Sequence, residues 1–341
     1  MLFSKRENCF IIAEISANHG GDFKRAVRLI RAAKACGVDA VKFQAYTPDT
    51  LTLNAHNKYF KIKHPKWEGQ TLYHLYKKAY TPWSWFRKLK EIADDLGIIF
   101  FATSFDKTSV DFLEGLGVAI HKIASFELVD LGLIEYIAKT KKPLILSCGM
   151  SSILEIKEAL ATAKKAGARE IVLLKCTSSY PAEPEEMNLI TIPNMKELFH
   201  CPVGLSDHTL GIATSIAGVS LGAKMIEKHF NLSRKIKTAD SFFSLEPKEL
   251  RELVYSIRIA EKALGRVSYG LTKEERKSRA FRRSLFAVED LKRGGIFTIQ
   301  NIRSIRPSFG LHTRYFKNIL GRYAKKDIKR GTPLEWGLIS K

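Results

Sequence analysis

The chain has 341 residues, 45% hydrophobic and 27% charged, a globular composition long enough for one large domain and a small second one. Its formal net charge is +21, which directs attention to anionic partners. No run of eighteen apolar residues occurs, so no membrane-spanning helix is expected.

The first apolar run, "FIIAEIS" (10–16), follows a basic start but contains Glu14 and no small-residue cleavage site. It therefore reads as a strand rather than a signal peptide. Further short apolar runs follow at "AVKFQAY" (40–46), "IIFFATSF" (98–105), "AIHKIAS" (119–125) and "PLILSCG" (143–149). The last three are "EIVLLKCTS" (170–178), "VGLSDH" (203–208) and "KMIEKHF" (224–230). Helical patterns alternate with them, and several stop at glycine, at Gly37, Gly97, Gly167 and Gly222. Eight strands alternating with helices predict an α/β fold, a (β/α)₈ TIM barrel over residues 1–265. No G-x-G-x-x-G follows the first strand, which argues against a doubly wound dinucleotide fold. The long segment 45–82 after the second strand is large enough to help wall a site. The five cysteines are odd in number and lack zinc spacing, which predicts reduced structural thiols and a cytoplasmic location.

After Gly265 a charged connector (266–281) leads to a β-rich module over 282–341. Two phrases in it, "VEDLKRGGIFTIQNI" and "AKKDIKRGTPLEWGLI", form a weak internal repeat. From Leu271 to Lys341 there are 18 Lys and Arg against 6 Asp and Glu, an excess of +12. No aromatic stacking motif, helix-turn-helix or zinc pattern accompanies this charge, so neither nucleic acid nor membrane is expected as a partner.

Chemistry in such a barrel lies at the C-terminal ends of the strands. Strand side chains alternate between faces, so Glu14 pairs in parity with Ser16, Lys42 with Gln44, Ser206 with His208, and Glu227 with His229. The third strand ends in Thr103 and Ser104, and the fourth runs through Lys122 to Ser125 and Glu127. Ser125 has the opposite parity to Lys122 and reaches the same site only if the strand has given way to a turn. Lys42 and Lys122, set in or beside apolar runs, predict a buried phosphate or carboxylate. Hydroxyls at Thr103, Ser125, Ser178 and Ser206 suit the same anion. His208 and His229, from successive strand ends, suit a divalent metal. Glu227 and Lys228 read as an ion pair or as support for His229.

"IAEISANHGG", "VKFQAYTPDTLT", "KIASFE", "KCTSSYP", "GLSDHT", "EKHF" and "RPSFGLH" occur in the order found in sialic acid synthases, and the chain resembles that family over nearly its whole length. The resemblance implies a barrel joined to an antifreeze-like (SAF) cap domain in a domain-swapped homodimer. It implies condensation of phosphoenolpyruvate with an open-chain N-acylated amino sugar, giving a nine-carbon α-keto acid and phosphate. By position, Lys42, Thr103, Lys122, Ser125, Ser178 and Ser206 would hold phosphoenolpyruvate. His208 and His229 would hold Mn²⁺, Co²⁺ or Mg²⁺, with Glu14 or Glu127 handling the water or proton. Gln44, Tyr180 and Asp240 would face the sugar, and Arg306 from the partner's cap would close over an acyl group. Within the family, "YTPDTLTLN", "LYHLYKKAYTPWSW", "RRSLFAVEDLKRG" and "RPSFGLHTRYF" point to the branch acting on 2,4-diacetamido-2,4,6-trideoxy-L-altrose. The neuraminate and legionaminate branches are the alternatives, and a non-catalytic polyanion-binding protein is a distant one. "ATSF" replaces a "STPF"-like turn, Ser178 stands where neuraminate synthases often carry asparagine, and "SCGM" replaces "STGM", which makes Cys148 a packing residue.

Overall fold

A computed structural model describes residues 2–3, 6–62 and 69–340; part of the long segment after the second strand, 63–68, lies outside the described residues. The chain divides into two compact units, residues 1–265 and 266–341. In the first, eight strands form a closed parallel barrel in sequence order. They are β1 (Phe10–Glu14), β2 (Ala40–Ala45), β3 (Ile99–Ser104) and β4 (His121–Ile123), then β5 (Leu144–Ser147), β6 (Ile171–Cys176), β7 (Val203–Asp207) and β8 (Met225–His229). Closure runs from Phe10↔Met225 to Glu14↔His229. The expected α/β barrel is the observed one.

Helix α1 (Phe23–Cys36) follows β1, and β2 is followed by α2 (Pro48–Leu51), α3 (Leu72–Ala79) and α4 (Trp83–Asp95). The remaining strands are each followed by one α-helix: α5 (Lys107–Gly115), α6 (Leu131–Ala138), α7 (Ile153–Lys165), α8 (Thr191–Phe199), α9 (Ala213–Ser220) and α10 (Pro247–Leu264). Local chemistry sets the ends. The Asp22 carboxylate accepts from the Arg25 N–H at the start of α1, and Gly37, at φ 87°, supplies the left-handed residue that ends it.

Strand parity sorts the core into two regions. Ile11, Ala13, Val41, Phe43 and Leu173 pack between sheet and helices. Phe10, Ile12, Ala40, Phe101, Ile120, Ile145, Val172, Leu174 and Met225 fill the barrel interior. At Gly204 a Cβ would lie 2.7 Å from the Leu174 side chain and 2.5 Å from the Met225 carbonyl, so the interior admits no side chain there.

The second unit contains β9 (Ser284–Ala287), antiparallel to β10 (Ile302–Ile305), over an apolar cluster including Leu285, Phe297, Ile302, Ile319, Leu334 and Leu338. The preceding connector carries a short capped helix, α11 (Lys273–Ser278). The two repeated phrases meet each other about a local two-fold. Leu291 and Ile328 exchange both backbone hydrogen bonds at 2.8 Å. Asp290 accepts from the Arg330 N–H and Lys329, and Asp327 from the Arg293 N–H and Lys292, each pair at 2.8 and 3.0 Å. Both lysines are exposed, so their ion pairs contribute little and the backbone bonds hold the two phrases together.

Candidate active site

The interior changes character two residues beyond its apolar layer. Glu14, Lys42, Thr103, Lys122, Ser147, Cys176, Ser206 and Glu227, one from each strand, line a cavity of about 60 Å³ at the C-terminal mouth. Each has the parity of an interior residue two positions earlier, so the strands that fill the core with apolar side chains also deliver this polar layer. Its charged and hydroxyl lining suits an oxyanion, and it is several times smaller than the cavity above it.

Its charges are unequally satisfied. The Lys42 ammonium lies 2.7 Å from Glu14, 3.7 Å from Glu227 and 2.9 Å from the Thr103 hydroxyl. Burial alone would depress Lys42, but the two carboxylates outweigh it and hold the lysine above its ordinary value. Burial pushes Glu14 up toward neutrality against the pull of Lys42. Glu227 is also buried, yet Lys42 and Lys122, with the Ser206 hydroxyl donating at 3.0 Å, hold it below the ordinary carboxylate range. Lys122 differs. Its ammonium donates to the Ser147 hydroxyl at 2.6 Å and the Ile123 carbonyl at 2.9 Å, and no carboxylate among the described residues lies within ion-pair distance. Burial accordingly lowers its pKa. A buried cation without a carboxylate partner is a place for an anion.

Above this layer a second cavity of about 310 Å³ shares Gln44, Phe126, Tyr180 and His229 with the first. Ser16, Ser178 and Asp240 join its wall, as do Leu75, Tyr76 and Ala79 of α3. His208 and His229 stand at the junction, ring centroids 5.4 Å apart, with Tyr180 4.4 Å from His208 and Phe243 4.7 Å from His229. His208 Nδ1 donates to the Thr177 carbonyl at 2.9 Å, so Nε2 is the nitrogen free to bind a metal once its proton leaves. Burial would lower the ring's pKa, but Cys176 and this carbonyl outweigh it and hold it above the ordinary value. His229 Nδ1 is buried with no hydrogen-bond partner among the described residues; Asp240 stands 3.7 Å away. Burial and the neighbouring His208 hold His229 well below its ordinary pKa, as a neutral imidazole. A cavity of about 370 Å³ at the opposite end of the barrel, lined by Phe3, Phe10, Val172 and Met225, contains none of these groups.

The structure thus brings together Glu14, Lys42, Gln44, Thr103, Lys122, Ser125, Tyr180, Ser206, His208 and His229 at the inner cavity, with Ser178 and Asp240 at the outer one. Ser125 reaches the site because β4 ends at Ile123 and a 3₁₀ turn, Ser125–Glu127, begins. Gly149 beside it is obligatory in space: a Cβ there would run into the Ser125 and Ser178 hydroxyls.

Two expectations need revision. Glu227 and Lys228 do not pair, because consecutive strand residues face opposite sides. Glu227 faces the cavity, while Lys228 lies outside the barrel, 2.9 Å from Asp207. Cys176, read with the other cysteines as structural, lines the inner cavity; burial would raise its thiol, but His208, with Ser125 and Lys122, outweighs it and brings it to about 7. Its parity with Leu174 and Ser178 was the available signal. Glu127 follows Ser125 and Phe126 in the same 3₁₀ turn, where it interacts electrostatically with Lys122 of the inner cavity and Tyr76 of the outer one. Arg306 belongs to the second unit, where it is exposed and has no ion pair among the described residues.

Burial, opposed by Lys122, raises the Glu127 carboxyl from 4.5 to about 7. The folded state therefore holds that proton more tightly than the unfolded chain, and the associated stability, full below pH 4.5, is lost as pH rises through 7. Glu127→Gln should raise the melting midpoint above pH 7 and leave it unchanged below 4.5. A shift of equal size at every pH would assign the effect to packing.

A closed barrel with buried lysines and paired imidazoles at its C-terminal mouth defines a barrel enzyme acting on an anionic substrate. The model of the NeuB family matches residues 29–269, and that of the SAF domain residues 282–340. The chain belongs to the NeuB family. It is 44% identical over 335 residues to pseudaminic acid synthase of Campylobacter jejuni, covering 98% of each chain. It is 41% identical over 325 residues to pseudaminic acid synthase of Helicobacter pylori, covering 95% of this chain and 96% of that one. Among solved structures it is similar to N-acetylneuraminic acid (sialic acid) synthetase from Leptospira borgpetersenii in complex with citrate. That match has a TM-score of 0.71 and 35% identity, and covers 80% of this chain and 90% of that one.

Proposed function

We propose that this chain condenses phosphoenolpyruvate with 2,4-diacetamido-2,4,6-trideoxy-L-altrose and water, giving pseudaminic acid and phosphate in the cytoplasm. The observation that carries this reading is the joined pair of cavities, a lysine-lined oxyanion space opening into a sugar-sized one. Identity of 41–44% to pseudaminic acid synthases supports the choice of sugar.

Lys122 and Lys42 hold the phosphate and carboxylate, helped by the hydroxyls of Thr103, Ser125, Ser178 and Ser206. Gln44, Tyr180 and Asp240 orient the sugar with its aldehyde carbon at the junction. C3 of phosphoenolpyruvate then attacks that carbon, and the aldehyde oxygen takes a proton. Water adds to the resulting cationic C2, and the C–O bond to phosphate breaks, leaving the keto acid. Glu14 is the carboxylate placed to exchange protons at the inner cavity, since burial moves it toward neutrality. His208 and His229 fit a divalent ion: one nitrogen is freed by the Thr177 carbonyl, and the other imidazole is neutral with an orphaned nitrogen. Mn²⁺, Co²⁺ or Mg²⁺ held there would supply Lewis-acid polarisation of the aldehyde. Among the described residues no three His, Cys, Asp or Glu form a metal cage, so other positions would fall to substrate and water.

Phosphate release should depend on both substrates. With a panel of three sugars, the diacetamido altrose should give the highest kcat/KM, ahead of the legionaminate precursor and N-acetylmannosamine. Preference for either of those would reassign the branch. Release without any sugar would remove the condensation.

The same reading includes a homodimer in which each basic SAF unit closes the partner's barrel with Arg306. Arg306→Ala and His229→Ala should each be inactive, while verified mixed dimers recover part of the activity in the barrel that has both histidines and an intact cap. No recovery in such dimers would place Arg306 with its own barrel.

A further inference from the structure

We propose that α3 is the specificity wall of the sugar cavity, an apolar face that receives the C6 methyl of a 6-deoxy sugar and disfavours a C6 hydroxyl. The inference rests on the sugar-binding reading above and concerns which end of the sugar is selected, and by what.

Three observations carry it. Leu75, Tyr76 and Ala79 lie at i, i+1 and i+4 on α3, one face of the helix, and all three line the outer cavity. Lys77 and Lys78, between them in sequence, are exposed, so the helix is turned with its apolar face inward. None of the three lines the inner cavity. Because His208 and His229 stand at the junction, a sugar whose aldehyde carbon reacts there must run its far end outward, toward α3. The hydrogen-bonding groups Ser16, Gln44 and Asp240 of the same cavity come from the barrel side, beside Ala17 and Ala239, and not from α3. The cavity therefore separates a sugar's substituents, taking hydroxyls against the barrel and methyl groups against the helix.

Two contacts hold the helix against the cavity. The Thr71 hydroxyl accepts from the His74 N–H at its start, and Tyr76 packs edge-on against the buried Tyr46, centroids 5.7 Å apart. A hydroxyl carried into contact with Leu75 and Ala79 gives up water and finds no donor or acceptor on either. An apolar pocket rejects an added hydroxyl by only about 10- to 100-fold, which sets the size of the effect.

The test compares kcat/KM for the 2,4-diacetamido 6-deoxy sugar with that for its C6-hydroxylated counterpart, in the wild type, Leu75→Asn and Ala79→Ser. Circular dichroism checks the fold of each variant. The wild type should favour the 6-deoxy sugar by about 10- to 100-fold, and Leu75→Asn should bring the ratio to within about threefold of unity. Ala79→Ser, the milder change, should move the ratio in the same direction and remains informative if the asparagine variant does not fold. An identical ratio in the wild type and a folded variant overturns the proposal, because damage to the fold alone lowers both rates together. If the chain uses N-acetylmannosamine instead, the function reading fails by itself. The wall then predicts that 6-deoxy-N-acetylmannosamine outperforms the parent sugar, and the reverse preference overturns it.

Discussion

Lys42→Ala should lower both stability and phosphoenolpyruvate affinity, whereas Lys122→Ala should lower affinity with a much smaller loss of stability. Lys42 lies between Glu14 and Glu227, both buried, so its removal leaves two carboxylates without their counter-charge. Breaking a buried pair in this way costs about 3–5 kcal/mol. The loss should shrink at low pH, where the stranded carboxylates protonate, and Glu14→Gln should partly restore the variant at neutral pH. Lys122 has hydroxyl and carbonyl partners but no carboxylate within ion-pair distance, so its deletion relieves a buried cation and only weakens the support it gives Glu227. Each lysine contributes charge-assisted bonds worth about 1.5–3 kcal/mol to the anion, so the KM for phosphoenolpyruvate should rise about ten- to a hundredfold in both variants. Denaturant midpoints and KM together check the pair. Equal destabilisation by both substitutions would show that Lys122 balances charge as Lys42 does.

His208→Ala and His229→Ala should each remove activity and divalent-ion binding while the barrel stays folded. Polarising the aldehyde is worth several kcal/mol, and about 4 kcal/mol corresponds to a thousandfold in rate. Mn²⁺ titration by calorimetry should lose its signal in both variants, and chelation should silence the wild type until Mn²⁺, Co²⁺ or Mg²⁺ is restored. Neither ring makes a salt bridge shorter than the 3.7 Å His229–Asp240 approach, so the melting midpoint should change far less than in Lys42→Ala. Unchanged Mn²⁺ binding in either folded variant would remove that histidine from the ligand set.

Most of the site was legible because strand parity is local. Lys42 with Gln44, Ser206 with His208 and Glu227 with His229 could be assigned to one face from spacing of two alone. The long segment after β2 was legible as a wall by its size, although its face was not. What escaped depended on tertiary pairing. The Asp207–Lys228 pair joins β7 and β8 through their register, and nothing in either strand alone announces it. How Ser125, Phe126 and Glu127 meet the site depended on a 3₁₀ turn that strand parity alone does not announce. Cys176 carried an ambiguous signal, since a thiol suits an apolar core as well as a polar rim.

The central claim is condensation at C2 and C3 of phosphoenolpyruvate within the paired cavities. It is tested most directly with phosphoenolpyruvate labelled with oxygen-18 in the oxygen bridging carbon and phosphorus. Turnover with the diacetamido altrose should release phosphate that carries the heavy oxygen, detected by mass spectrometry, in proportion to the nine-carbon acid formed, and no phosphate without the sugar. Unlabelled phosphate would show that the phosphorus–oxygen bond breaks instead, and labelled phosphate formed without sugar would show that no carbon–carbon bond is made; either result would contradict the account.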